Sequence, residues 1–141
     1  MKIIRNIIGV IAGVLIGSYV NMFIVNLGPT FFPLPEGVNI TTEEGLKAGM
    51  AYMKPEHFIA PFLAHAIGTL VATFLAALIV VHRRKNITRV ISLLYMAGGA
   101  YMVAILSSPM WFNLLDLIVA YFPIGMLGYW LATRVVPEGE G

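Results

Sequence analysis

Two ionisable side chains, His65 and Asp116, lie well inside long apolar segments of this chain. An ionised carboxylate in a membrane span costs about 2.5–3.5 kcal/mol to insert, so Asp116 is expected to face the interior of a helix bundle. His65 is its expected partner, because an opposite charge nearby favours the charged form of each group. The two residue types predict a polar site that binds or moves a proton, an ion or a small polar ligand.

Further polar side chains are expected at the same depth as this pair. At a rise of about 1.5 Å per residue, each of four predicted spans places one polar group about 10–14 Å below its outer end. Asn113 lies one turn before Asp116 on the same face, and Glu56 and His57 lie at the outer mouth. The candidate ligand-binding or proton-binding residues are therefore Asn21, Glu56, His57, His65, Tyr101, Asn113 and Asp116.

The composition places these residues in a membrane protein. The chain has 141 residues, of which 59% are hydrophobic and 11% charged, with a mean hydropathy of +0.86. Soluble domains contain about 25% charged residues. The net charge is +2, but the basic residues stand at the ends of apolar runs, which favours membrane topology over nucleic acid as their explanation. The chain contains no cysteine, which excludes disulfides, thiolate metal ligands and cysteine nucleophiles.

The apolar runs predict an all-α integral membrane protein, a four-transmembrane-helix bundle in one membrane domain over 1–141. The four spans are predicted at about 7–28, 57–82, 89–107 and 110–132. The first run is longer than the apolar part of a signal peptide and is expected to be retained as a helix ending at Gly28-Pro29. Pro123 lacks an N–H and is expected to kink the last span.

Two polar segments join these spans, an outer loop at 29–56 and a compact basic turn at 83–88. Within the loop, Thr41 and Glu44 match a capping box, which predicts a short amphipathic helix that reaches about Met53. Leu46, Met50 and Met53 share one face of that helix, which is expected to lie on the membrane surface or to cap the bundle.

Charge predicts the orientation of the bundle. An excess of Lys and Arg marks cytoplasmic segments. Seven basic residues fall on the side of the termini and two on the other side: Lys2, Arg5, Arg83, Arg84, Lys85, Arg89 and Arg134 against Lys47 and Lys54. Both termini are therefore expected in the cytoplasm, with the short amphipathic helix between the first two spans on the outside. A multi-pass protein of the cell inner (plasma) membrane is predicted.

Small residues predict how the helices pack. Gly9, Gly13 and Gly17 recur every four residues in the first span, as in a glycine zipper, and form a groove that a second helix can approach closely. We expect this face to support a homo-oligomer. In the second span the small or polar residues fall on one side, which should face protein: Pro61, His65, Thr69, Ala72 and Ala76.

Three functions fit this pattern. The first is a carrier or ligand-binding protein. Because four short helices make a narrow bundle, a pathway through it is expected to need a homo-oligomer. The second is a membrane-embedded enzyme that acts on a lipid-like substrate through the same His, Asp and Glu cluster. The third is an accessory or assembly subunit of a larger membrane complex, with a structural polar layer. No metal site is predicted, because His57 and His65 are eight residues apart and not four as in the zinc motif.

Overall fold

A computed structural model of the chain describes residues 1–137, which form helices and no strand. The six α-helices are α1 (Lys2–Phe31), α2 (Glu43–Gly49), α3 (Ile59–Ile79), α4 (Arg84–Ile105), α5 (Met110–Leu115) and α6 (Phe122–Val135). Two single 3₁₀ turns, Met50–Tyr52 and Pro55–Phe58, flank the connection into α3, and a π-helical turn, Asp116–Ala120, joins α5 to α6.

Four helical segments are long and apolar enough to cross a membrane: Lys2–Phe31, Pro55–Ile79, Arg84–Ile105 and Met110–Val135. The prediction of an all-α fold is confirmed for residues 1–137, and so is the presence of four helices long and apolar enough to span a membrane. Several predicted boundaries were wrong by a few residues.

The first helix does not stop at Gly28-Pro29. It continues to Phe31, and the N–H of Phe32 donates to the carbonyl of Gly28 at 2.9 Å. Pro29 cannot donate to the carbonyl of Val25, and its ring crowds that carbonyl. The helix nevertheless continues for two residues beyond Pro29.

The basic turn at 83–88 is shorter than predicted, because α4 already begins at Arg84 and α3 ends at Ile79. Arg84 is buried, at 6% exposed. Its Nε donates to the carbonyl of Ala77 at 2.7 Å and its Nη1 to that of Val136 at 2.8 Å. A guanidinium is well suited to such carbonyls at helix C-termini. The side chain thereby joins the ends of α3 and α6 instead of extending into a solvated turn.

Helix α3 is the centre of the bundle. Its small-residue side faces protein as predicted, since Thr69, Ala72 and Ala76 are fully buried. Helix α1 packs along one side of it, and α4 and α6 pack along others. Glycines let α6 approach, because a Cβ at Gly128 would lie 2.8 Å from the carbonyl oxygen of Leu70.

The glycine face of α1 is used inside the chain. A Cβ at Gly13 would lie 2.5 Å from the carbonyl oxygen of Ala72, and one at Gly17 would lie 2.5 Å from the Cβ of Ala72. Gly9 meets Ile79 and Val80 in the same way. The expectation that this face supports a homo-oligomer was therefore wrong, because α3 already occupies it.

Hydrogen bonds join α1 to the rest of the bundle at the basic end and near the middle of the helix. At the basic end, Arg5 Nε donates to the carbonyl of Ile79 at 2.8 Å, and Asn6 Oδ1 accepts from the N–H of Val81 at 3.0 Å. Near the middle, the Tyr95 hydroxyl donates to the carbonyl of Val14 at 2.9 Å and lies 3.1 Å from Ser18 Oγ. These contacts join α1 to α3 and α4 at the basic end and in the middle of the bundle.

Helix α2 begins one residue later than the predicted capping box. Thr42 is its N-cap, and the Thr42 hydroxyl accepts from the N–H of Gly45 at 3.1 Å. Glu44 therefore does not hold the reciprocal position, and Thr41 instead bonds to Asn39. On the exposed face, Glu43 accepts from Lys47 Nζ at 2.7 Å, and this hydrogen bond raises the pKa of Lys47 above its usual value.

The glycine packing gives a test with a matched pair of substitutions. Gly13→Ala is expected to lower the free energy of unfolding by about 1–3 kcal/mol, because the added methyl group overlaps α3. Gly98→Ala is expected to leave it unchanged or to raise it, because a Cβ at Gly98 meets nothing within 4 Å. Reversible unfolding in mixed detergent micelles measures both. Equal effects of the two substitutions would contradict the close contact between α1 and α3.

Candidate functional site

His65 and Asp116, the central predicted pair, lie in contact. His65 Nδ1 is 2.8 Å from Oδ2 and 2.9 Å from Oδ1 of Asp116. A carboxylate only accepts hydrogen bonds, so Nδ1 carries the shared hydrogen. Asp116 is 2% exposed, whereas the His65 side chain is 21% exposed. The carboxylate is therefore enclosed, and the imidazole is the part of the pair that other molecules can reach.

Tyr121 completes the surroundings of the carboxylate. Its hydroxyl donates to Asp116 Oδ2 at 3.0 Å, and its ring stacks on His65 with centroids 5.5 Å apart at 29°. Tyr121 is itself 2% exposed. One buried tyrosine thus supplies a hydrogen bond to the aspartate and a flat surface for the imidazole, which fixes the orientation of both groups.

The π-helical turn makes this arrangement possible. In an α-helix, residues five apart point about 140° away from each other. A π turn is closed by i to i+5 hydrogen bonds, which bring such residues onto one face. The turn covers Asp116–Ala120 and is followed by Tyr121 and by Pro123 in the first turn of α6. Pro123 was predicted to kink a continuous helix, and the structure shows an interruption by this π turn immediately before it.

Gly99 of α4 provides the space for Tyr121. A Cβ at Gly99 would overlap the phenol ring, at 2.8 Å from Cε2 and 2.5 Å from Cζ. The residue that α4 contributes at this depth is therefore a glycine and not the predicted Tyr101. Tyr121 and Gly99 were both missed by sequence reasoning. A tyrosine five residues after a buried aspartate, two residues before a proline, was the available signal.

His65 and Asp116 lie on the wall of a cavity in the half of the bundle opposite the basic turn. The cavity has a volume of about 160 Å³. Its lining comes from α1, α3, α4, α5 and the outer loop, and is mainly aliphatic, aromatic and thioether side chains: Val25, Phe32, Leu34, Ile40, Leu46, Met50, Met53, Phe58, Met102, Val103, Leu106 and Phe112. The polar contribution to the lining comes from His57, His65, Ser108 and Asp116.

Apolar side chains of α2 and of the segment that follows it line this cavity. These are Leu46, Met50 and Met53, which were predicted to share one face. Glu43 and Lys47 of α2 form an exposed ion pair. The outer loop is held in place by His57, whose Nδ1 accepts from the N–H of Lys54 at 2.8 Å. Its Nε2 therefore carries the hydrogen and donates to the carbonyl of Pro33 at 3.0 Å.

The other candidate residues do not gather around His65. Tyr101 is 62% exposed, because it lies two positions from Gly99 and so on the opposite side of α4. Asn21 packs against Gly68 between α1 and α3 and does not line the cavity. Glu56 is exposed at the start of the second span. The prediction that these three residues surround the pair was wrong.

Asn113 is buried near the pair but serves the hairpin before α5. Its Nδ2 donates to the carbonyl of Ser108 at 3.0 Å, and its Oδ1 accepts from the Ser108 hydroxyl at 2.6 Å. Asn113 is 8% exposed. These bonds satisfy its amide, so the predicted role in the polar site is replaced by one in fixing the turn at Ser107–Pro109.

Of the four polar residues on the cavity wall, His57, Ser108 and Asp116 are already hydrogen-bonded within the protein. His65 therefore supplies the polar group that remains for a bound molecule. Since Asp116 and Tyr121 occupy Nδ1 and the ring face of His65, Nε2 is the nitrogen left for a bound molecule. Among residues 1–137, no three His, Asp or Glu side chains come together to hold a metal ion. The arrangement can donate a hydrogen bond from Nε2, accept one there, or take up a proton next to a carboxylate.

Comparison with known proteins identifies no family for the chain. The chain matches no family model, and neither the curated proteins nor the solved structures contain a match to it.

A double-mutant cycle tests the site. Tyr121→Phe keeps the ring and removes its hydrogen bond, and is expected to lower the free energy of unfolding by about 1 kcal/mol. In an Asp116→Leu background the same change is expected to be neutral or stabilising, since the hydroxyl then has no acceptor.

Tyr101→Phe is the control, because this hydroxyl lies on the exposed side of α4 and its removal should cost less than about 0.5 kcal/mol. Unfolding of all four variants is followed in mixed micelles. Additive effects of Tyr121→Phe and Asp116→Leu would contradict the contact between these residues.

Proposed function

We propose that this protein binds a small, predominantly apolar molecule in its outer cavity, with His65 Nε2 as the hydrogen-bonding anchor. The observation that supports this most is an imidazole oriented by Asp116 on the wall of a mainly apolar cavity. Ligand sites commonly combine an apolar cavity with a few placed polar groups. An apolar cavity of about 150 Å³ in another protein is large enough for benzene, so a single ring or a short chain fits the volume here.

The lining favours an apolar molecule over a hydrated ion. An ion that leaves water needs several polar ligands in place of its hydration shell, and burial of a charge without them costs several kcal/mol. Here the imidazole would be one such polar ligand, but the side chains around it, such as Leu46, Met50 and Phe112, offer no oxygen or nitrogen ligand to an ion. The initial expectation of a proton, ion or small polar ligand is therefore narrowed to a molecule with one polar group.

The same pair supports an enzyme as the second candidate. A carboxylate that holds Nδ1–H of a histidine leaves Nε2 oriented as a general base. In such a reaction Nε2 takes the proton of a hydroxyl on the bound molecule, and Asp116 stabilises the imidazolium that forms. The substrate would be lipid-like, because the cavity lies within the apolar part of the bundle. The short distances from Nδ1 to both carboxylate oxygens favour this candidate.

We further propose that the basic end of the bundle is cytoplasmic and that the cavity faces outward. The structure brings Arg5, Arg84 and the end of α3 together at one end, while His57, Ser108 and α2 lie at the other. The excess of Lys and Arg at the first end supports this orientation. The membrane would be the plasma membrane. Association with another copy or with a partner subunit would use lipid-facing surfaces, since α3 covers the glycine face of α1.

Binding can be followed through Trp111, which contacts Phe58 and Phe112 of the cavity wall with ring centroids 5.7 and 5.9 Å apart. With Trp130→Phe as the background, p-cresol is a suitable probe, since it is a single apolar ring with one hydroxyl. We expect a saturable change in Trp111 fluorescence. His65→Gln should weaken binding by about tenfold, the value of one lost hydrogen bond of about 1–1.5 kcal/mol.

The matched control is His82→Gln, the same substitution at the opposite end, which should leave binding unchanged. Val25→Phe places a larger side chain on the cavity wall and should abolish saturable binding without touching the pair. If Val25→Phe binds p-cresol as well as the parent protein does, the ligand does not enter this cavity.

Orientation is tested with single cysteines, which the cysteine-free chain makes unambiguous. Thr42→Cys and Lys85→Cys replace exposed residues at opposite ends. In intact cells, an impermeant maleimide is expected to label Cys at position 42 and to label position 85 only after lysis. Labelling of position 85 in intact cells would reverse the proposed topology.

A further inference from the structure

A second recess lies at the basic end, away from the cavity. It is a groove of about 260 Å³ between the beginnings of α1 and α4, bounded by the turn that connects α3 to α4. Its polar rim is formed by Asn6, His82, Arg83 and Asn86. Its wall is formed by Val10, Ile87, Val90 and Ile91. The two kinds of residue are largely segregated, since Val10, Val90 and Ile91 lie about one turn further along their helices than Asn6 and Asn86.

The polar rim presents donors and cationic groups. The side-chain oxygen Oδ1 of Asn86 already accepts from Arg89 Nη1 at 3.4 Å, so the side-chain nitrogen Nδ2 is the atom left to donate a hydrogen bond. Both ends of the Asn6 side-chain amide are already hydrogen-bonded. Its Nδ2 donates to the carbonyl of His82 at 3.2 Å, and its Oδ1 accepts from the N–H of Val81. Arg83 makes no ion pair within residues 1–137. The groove therefore offers a guanidinium, an amide and an imidazole.

No carboxylate balances these groups in the described part of the chain. Its acidic residues lie in the outer loop, at the start of the second span or within the bundle: Glu36, Glu43, Glu44, Glu56 and Asp116. Arg83 also has a left-handed backbone, with φ of 53°, which is rare for residues other than glycine, asparagine and aspartate. Strained residues of this kind concentrate at binding sites, where the conformation positions the side chain.

From these observations we infer that the groove binds an anionic phospholipid. The phosphate would accept hydrogen bonds from Arg83 and Asn86, and the first part of an acyl chain would lie along Val10 and Val90. Basic pockets between membrane helices bind lipid headgroups in this way. A free phosphate would use the rim but not the wall. The exposed position of Val90, at 65%, on the lipid-facing side favours a molecule that already resides in the bilayer.

The experiment measures lipid retention by native mass spectrometry after titration with phosphatidylglycerol or phosphatidylcholine. The wild-type protein is expected to retain one phosphatidylglycerol in preference to phosphatidylcholine. Arg83→Gln removes the charge at the rim and should weaken phosphatidylglycerol binding by about fivefold, the contribution expected of one arginine. Lys85→Gln is the matched control, since Lys85 is an exposed cation at the same end and does not line the groove.

Asn86→Asp gives a second variant at an exposed position, with a carboxylate directed at the phosphate, and should also reduce retention. Circular dichroism establishes that each variant is folded. Equal losses in Arg83→Gln and Lys85→Gln would overturn the inference, because they would show general attraction to a basic surface. Displacement of the lipid by millimolar inorganic phosphate would overturn the assignment to a lipid and leave an anion site. Loss of p-cresol binding in these variants is not expected, since the cavity lies at the other end.

Discussion

A carboxylate inside an apolar bundle requires partners, and the Asp116 side chain determines the architecture around it. It accepts from His65 Nδ1 at 2.8 Å and from the Tyr121 hydroxyl at 3.0 Å. Both donors must come from positions that an uninterrupted α-helix does not bring together with residue 116. The π turn before Pro123, the glycine at position 99 and the position of α3 at the centre of the bundle each serve this one contact. A change at any of them would leave a buried charge without its hydrogen bonds, which costs more than loss of the bonds alone.

In the proposed site, the carboxylate holds the imidazole so that one ring nitrogen remains for a ligand. With Nδ1 engaged and one ring face covered by Tyr121, the remaining nitrogen belongs to the cavity. Leu46 of α2 and the two methionines that follow it line the cavity, and Glu43 and Lys47 of α2 are exposed. The Asp116 pair supplies polarity to the site, and these apolar side chains form part of its wall. These two features together favour an apolar ligand with one polar group.

Much of this arrangement followed from residue type and helical spacing. The four spans, the inward face of α3 and the pairing of His65 with Asp116 rested on patterns that lipid makes strict, because a charge or a small-residue face has few alternatives there. The other candidate site residues were chosen only by their expected depth within the predicted spans. Depth did not distinguish the two sides of α4, so Tyr101 was chosen over Gly99. Helical spacing of 3.6 residues could not bring Tyr121 to Asp116, because a π turn changes that spacing locally. The partner of the glycine face was similarly undetermined, since a groove for close approach has the same sequence whether the second helix belongs to the same chain or to another copy.

In the proposed site, Asp116 holds His65 through Nδ1, and His65 offers Nε2 to the cavity. Nitrogen-15 NMR of histidine-labelled protein in lipid bilayers tests both features, with His57→Gln and His82→Gln used to assign the His65 signals. We expect a protonated Nδ1 in a strong hydrogen bond, and a shift of the Nε2 signal when the cavity is saturated with p-cresol. An unprotonated Nδ1, or an Nε2 signal that does not respond to p-cresol, would show that the histidine is not held in this way or does not reach the ligand.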